Sequence, residues 1–189
     1  TTIVKYNSSA IAQGVLTDEG HLWVWGDNEF GRLGLGHADR IEENYYPNRV
    51  GETTDVWTDF SHSGPNLYGV KNNKLYAAGQ NDNYNIGLGL LNTETQLTMI
   101  EVPGVDMTEV NSWQSSWAGI ISIKNNGELW GFGGNWKGQL AIDANEQIQN
   151  TMNTIDVNDD GLGGINNVDT ISEENTLRIE GDYDTGQFT

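Results

Sequence analysis

The stretch LWVWGDNEFGRLG, Leu22 to Gly34, alternates like a strand as far as Trp25, then breaks into a glycine-punctuated turn. It returns as LYAAGQNDNYNIG from Leu75 and as LWGFGGNWKGQLA from Leu129. The glycines that close the strand, Gly26, Gly79 and Gly133, stand 53 and 54 residues apart. Two residues after each comes an asparagine, Asn28, Asn81 or Asn135, and five residues after that Leu33, Ile86 or Leu140. Upstream, LTDEGHL, VKNNKL and IKNNGEL read as one and the same hairpin, with Asn72-Asn73 and Asn126-Gly127 at positive-φ turn positions. A weaker copy, ISEENTLRIEGDYDTGQF, closes the chain and sets Leu177, Gly181, Gly186 and Phe188 against Leu22, Gly26, Gly31 and Leu33. The chain is a repeat array.

A unit of about 50 residues built of short strands fits a four-stranded propeller blade, whereas a β-solenoid needs a shorter period. The expectation is an all-β fold of β-propeller-type antiparallel blades, with units at about 1–53, 54–107 and 108–160 and a partial one at 161–189. That makes an incomplete ring of about three and a half blades. TETQLTMIEV and ANEQIQNTMNTI show weak helical spacing and read as inter-strand loops with room for a turn of helix. The repeated Gly26, Gly79 and Gly133 read as structural, placed where a Cβ would clash. Asn28, Asn81 and Asn135 read as Asx-turn residues bonding nearby backbone. The closing Leu or Ile is expected to drop between blades.

These residues resemble the repeats of the regulator of chromosome condensation family, whose pattern runs through Gly-x-(Leu/Val)-(Tyr/Trp)-x-(Trp/Phe)-Gly-x-Asn-x-x-Gly-Gln-Leu-Gly. The first unit follows it almost throughout, and YYPNRV supplies the Pro-x-x-Val step with Pro47 and Val50. The second departs from it, with Tyr84 at the Gly position and Asn85 at the Gln position. The third restores GNWKGQL but loses the following Gly. The resemblance implies a β-propeller and no single activity, since the family includes exchange factors and photoreceptors.

Twenty-seven acids against 9 bases give a net charge of −18, which argues against nucleic acid, a partner that needs a basic face. Cysteine is absent, and no apolar run approaches the ~20 residues of a membrane span. The opening TTIVKYNSS has neither an initiator Met nor a signal-like core, and reads as a processed or excised chain. An incomplete ring leaves strand edges and apolar faces bare, so a protein partner, further blades or further copies are expected to cover them. In the motif strand the alternate pairs Trp23/Trp25, Tyr76/Ala78 and Trp130/Phe132 read as buried between blades. Arg178/Glu180 in the last copy reads either as a polar contact or as a peripheral ion pair.

The ligand-like stretch is DVNDDGLGGINNVD. Asp156, Asn158, Asp160 and Gly161 match the first half of a calcium loop, with Asn167 where the bidentate acid belongs and Asp169 two residues beyond it. Calcium binding and a metal-free acidic inter-blade loop both stand as readings, the second the simpler. His21, His37 and His62 read as residues of separate loops without metal-ligand spacing, and no nucleophile or phosphate motif is present, so an enzyme is not expected. Trp113, Trp117 and Trp136 are the aromatic candidates for protein or sugar contact; the first two read more readily as core, Trp136 as exposed. The expected function is a non-enzymatic binding or assembly module. The acidic, Cys-free composition suits an extracellular or virion-associated structural or receptor-contact domain; the alternative is an exchange-factor-like propeller fragment.

Overall fold

Alternation of apolar residues at period two builds the strands, and glycine or asparagine at positive φ turns them back. In the computed structural model, residues 1–89, 94–117 and 119–140 are described, with the backbone of strands at 148–154, 181–182 and 187–188. The first sheet holds β1 (Ile3–Ser8), β2 (Ala12–Thr17), β3 (Leu22–Gly26) and β4 (Asn48–Arg49). The second holds β5 (Trp57–Ser63), β6 (Asn66–Lys71), β7 (Lys74–Gly79) and β8 (Gln96–Asp106). The third holds β9 (Val110–Ser116), β10 (Gly119–Lys124), β11 (Leu129–Gly134) and β12 (Ile148–Thr154). β13 (Gly181–Asp182) and β14 (Gln187–Phe188) form a two-stranded pair. Every sheet is antiparallel with its strands in chain order, and among the described residues no helical turn exceeds 4 residues. The all-β propeller-type architecture expected from the repeat is what the chain adopts.

Two apolar layers hold the three sheets together. Leu16, Leu22 and Val24 of the first sheet pack with Leu33 against Trp57, Phe60 and Leu67 of the second. Tyr68, Val70, Leu75 and Ala77 on the opposite face of the second sheet pack with Ile86 against Ile120 and Phe132 of the third. Leu33, Ile86 and Leu140 are buried, so the residue that closes each motif does fill the space beside its sheet.

Several local expectations are corrected. TETQLTMIEV runs into β8, the 11-residue outer strand, and ANEQIQNTMNTI supplies β12; pairing with β7 and β11 overrides their weak helical spacing. The three hairpins are not alike. Asn72 and Asn73 both take positive φ, 52° and 59°, in a two-residue turn. Gly20 and Gly127, by contrast, end three-residue loops at φ 78° and 88° in which Asn126 does not share the positive φ. Trp23 and Trp25 are not buried between blades but lie half-exposed on the outward face of the first sheet.

Candidate functional site

Gly26, Gly79 and Gly133 adopt φ of 117°, 115° and 117°, a region that side chains resist. A Cβ at Gly26 or Gly79 would meet the carbonyl oxygen of Ile11 or Pro65, the residue that ends the neighbouring hairpin. The asparagine that follows does more than close an Asx-turn. Oδ1 of Asn28, Asn81 and Asn135 accepts from the backbone N–H of Leu33 (3.1 Å), Ile86 (3.2 Å) and Leu140 (2.9 Å), five residues on. The recurring spacing is therefore one buried hydrogen bond, drawn three times.

The position between them joins sheet to sheet. Arg32 donates from its guanidinium to the carbonyl of Gly64 (3.1 Å), in the hairpin between β5 and β6. Asn85, its counterpart, donates from Nδ2 to the carbonyl of Trp117 (3.4 Å), in the hairpin between β9 and β10; both reach 32 residues ahead. Arg32 is buried, which draws its guanidinium below the ordinary range, while Asp27 and Glu29 hold it charged. Arg40 also pairs with Asp27 (2.9 Å) and Glu29 (2.6 Å). His62 is no loop residue: it lies in β5 and is buried, with neither ring nitrogen hydrogen-bonded.

These turns and hairpins lie at one end of the sheets, the glycine end. A cleft of about 480 Å³ opens there beside Ile11, Asp27, Arg40, Ile41 and Tyr45. Trp117 is 62% exposed, against its reading as core, and its ring covers Gly64. Trp136 is 39% exposed and leans on Gly134. Trp113 sits between the sheets, donating from Nε1 to Oδ2 of Asp59 (2.9 Å). Asp59 also takes Lys5 of β1, so one carboxylate from the middle sheet bridges both neighbours. Lys5, Asp59 and Trp113 are 54 residues apart, as are Ser61 and Ser115, whose hydroxyls bond at 2.6 Å. That polar phase was missed because it follows no hydrophobic pattern; its signal was the repeat spacing itself. Asp156, Asn158, Asp160, Asp169, Leu177, Arg178 and Glu180 lie outside the described residues.

The second surface is the outward face of the first sheet, with Tyr6, Val15, Trp23 and Trp25. The same face of the second sheet carries Phe60, Leu67 and Ala78, each at 0% exposure under the preceding sheet, whereas Tyr6 is 59% exposed.

The family model of the regulator of chromosome condensation (RCC1) repeat matches residues 19–62. That match falls on the first unit, and the same Gly, Asn and closing Leu or Ile positions recur in the second and third. An RCC1 domain-containing protein of Dictyostelium discoideum is 20% identical over 70% of this chain and 31% of its own length. The X-linked retinitis pigmentosa GTPase regulator of Canis lupus familiaris is 26% identical over 68% of this chain and 13% of its own. Yeast RCC1 (Prp20), in its crystal structure with Kap60, superposes with a TM-score of 0.69 at 15% identity, over 98% of this chain and 41% of that one. The chain thus spans less than a third of the curated relatives it matches. At the motif's Gln position the chain carries Arg32, Asn85 and Gln139, the first two of which latch one sheet to the next.

Proposed function

We propose that this chain is a non-enzymatic protein-binding module that works inside a larger assembly. The observation that carries the reading is the bare face of the first sheet. Tyr6 is exposed and Trp23 and Trp25 half-exposed there, while Phe60 and Ala78, the counterparts of Tyr6 and Trp25 on the next sheet, are covered by a neighbour. Aromatic surface of this kind on an ordered repeat array marks an interface. Yeast RCC1, solved bound to Kap60, gives the fold a precedent for protein partners. Further blades or further copies are the proposed cover, and an extracellular or virion setting is the proposed context.

Light scattering on the purified chain tests the reading. The expected result is a species heavier than the 20.8 kDa monomer, reduced to monomer by Trp25→Glu. A monodisperse 20.8 kDa species at every concentration would count against it.

The GTPase-regulator relative favours a second reading, an exchange-factor-like propeller fragment. Faster release of a fluorescent guanine nucleotide from a small GTPase on adding the chain would support it, and unchanged release would count against it. Calcium at Asp156, Asn158, Asp160 and Asp169 is a separate proposal: calcium should raise the melting temperature, and Asp156→Ala with Asp160→Ala should abolish the rise. A flat calorimetric titration at millimolar-scale calcium ends that idea.

A further inference from the structure

The exposed aromatic side chains are not spread evenly. Phe30, Tyr45, Tyr46, Trp117 and Trp136 all lie on loops at the glycine end, and among the described residues Tyr6 is the other large exposed ring. At the opposite end the turns are polar: Asp18-Glu19, Asn72-Asn73 and Asn125-Asn126. The rings at the glycine end are also held in place. The ring of Trp117 covers Gly64, the carbonyl of Gly64 takes Arg32, and the guanidinium of Arg32 lies 5.7 Å from the centre of the Phe30 ring. From the other side the amide of Asn85 grips the carbonyl of Trp117. A ring pre-positioned in this way loses little conformational freedom on binding.

Carboxylates outnumber bases around these rings, where the exposed bases are Arg40, already paired with Asp27 and Glu29, and Lys137. Exposed Asp39, Glu42 and Asp82 and half-buried Glu29 stand in the same loops, on a chain of net charge −18. Elsewhere the chain answers such ring-and-carboxylate pairs with its own cations. Lys71 lies 4.9 Å from the Trp57 ring and 4.7 Å from the Tyr76 ring and pairs with Asp55 at 2.7 Å. Lys124 lies 3.7 Å from the Trp130 ring and pairs with Glu109 at 2.8 Å. Trp117 offers a more exposed indole, its carbonyl held by Asn85 in the turn that also carries Asp82.

We propose that the glycine end binds an arginine-bearing segment of a protein partner, with a guanidinium stacked on Trp117 and paired with carboxylates of the neighbouring turns. Arginine rather than lysine fits, because its planar and weakly hydrated head stacks on an indole while its edge still donates to a carboxylate. The proposal names a partner chemistry for the protein-binding reading and rests on it, through a different surface from the bare sheet face.

The test is fluorescence anisotropy of a labelled Arg-Gly repeat peptide and its Lys-Gly counterpart at physiological salt. The Arg peptide should bind about tenfold more tightly than the Lys peptide. Trp117→Ala should erase that preference, Trp117→Tyr should keep most of it, and Asp18→Asn with Glu19→Gln at the far end should leave it intact. Equal affinity for the two peptides reduces the effect to net charge and overturns the proposal. So does a preference that survives in a folded Trp117→Ala chain. Because light scattering reads the sheet face independently, failure here with assembly intact removes this inference and leaves the broader reading in place.

Discussion

Tyr84 holds φ at 56° where the other two units use glycine, Gly31 at 67° and Gly138 at 73°. A side chain resists that conformation, so Tyr84→Gly should raise stability by about 1 kcal/mol in a denaturant melt. An unchanged or lower midpoint would show that contacts of the Tyr84 ring outweigh the strain. The asparagine three positions earlier works the other way. Asn81→Ala strands the N–H of fully buried Ile86 and should cost about 2 kcal/mol by the same measurement. His62 sets a pH dependence. Burial, with the charge of Arg32 added, pushes it down to about 4 from the ordinary 6.5, so the folded chain keeps it neutral. Below the ordinary value the unfolded chain takes up a proton that the folded chain refuses. Stability is therefore full above about pH 6.5 and falls as pH drops towards 4, by about 3 kcal/mol in all. Denaturant melts of the wild type and His62→Gln across that range should converge as the pH falls; a constant gap would refute the assignment.

Among the sheets, the second is covered on both faces and the first on one. Amide hydrogen exchange should accordingly be slowest in β6 and β7 and fastest in β1 and β4, and equal protection throughout would contradict that ordering. Asp59 ties the arrangement together, and Asp59→Ala, which frees Lys5 and the indole N–H of Trp113 at once, should cost about 2 kcal/mol. A chemical melt that leaves stability untouched would show those bonds replaced by water. The inner elements were legible in the sequence because buried residues alternate there and glycine and asparagine recur in phase, as in Leu22–Asn28. The outer strands were not. In β8 only Val102 and Val105 are fully buried, so its pattern gave no period of two, and its identity as a strand comes from pairing with β7. Trp23 and Trp117 were misplaced for a related reason: an apolar ring signals a surface that can be covered, and the local sequence carries no information on whether a neighbour is there. Arg32 and Asn85 share the motif's Gln position without sharing a residue type, so their place was legible in the repeat and their common role only in the geometry.

For the molecule as a whole, the bare face of the first sheet predicts that Trp23→Glu with Trp25→Glu changes association without changing the fold. The far-ultraviolet spectrum and the melt should stay as they were while the scattering mass falls; a lost melt would mean that the rings support the sheet itself. The three motifs differ in detail yet reuse the same bonds, and the two described latches each reach 32 residues ahead into the following hairpin. Such a joint depends on what stands next to it and on nothing further along. A segment cut from Trp57 to Asp106, the second sheet with its loops, carries one outgoing donor, Asn85, and one incoming carbonyl, that of Gly64, whichever neighbours it is given. Unequal recombination between units could therefore lengthen or shorten such a chain by whole repeats and leave every junction satisfied. A single residue inserted between Asn28 and Leu33 would break a junction at once.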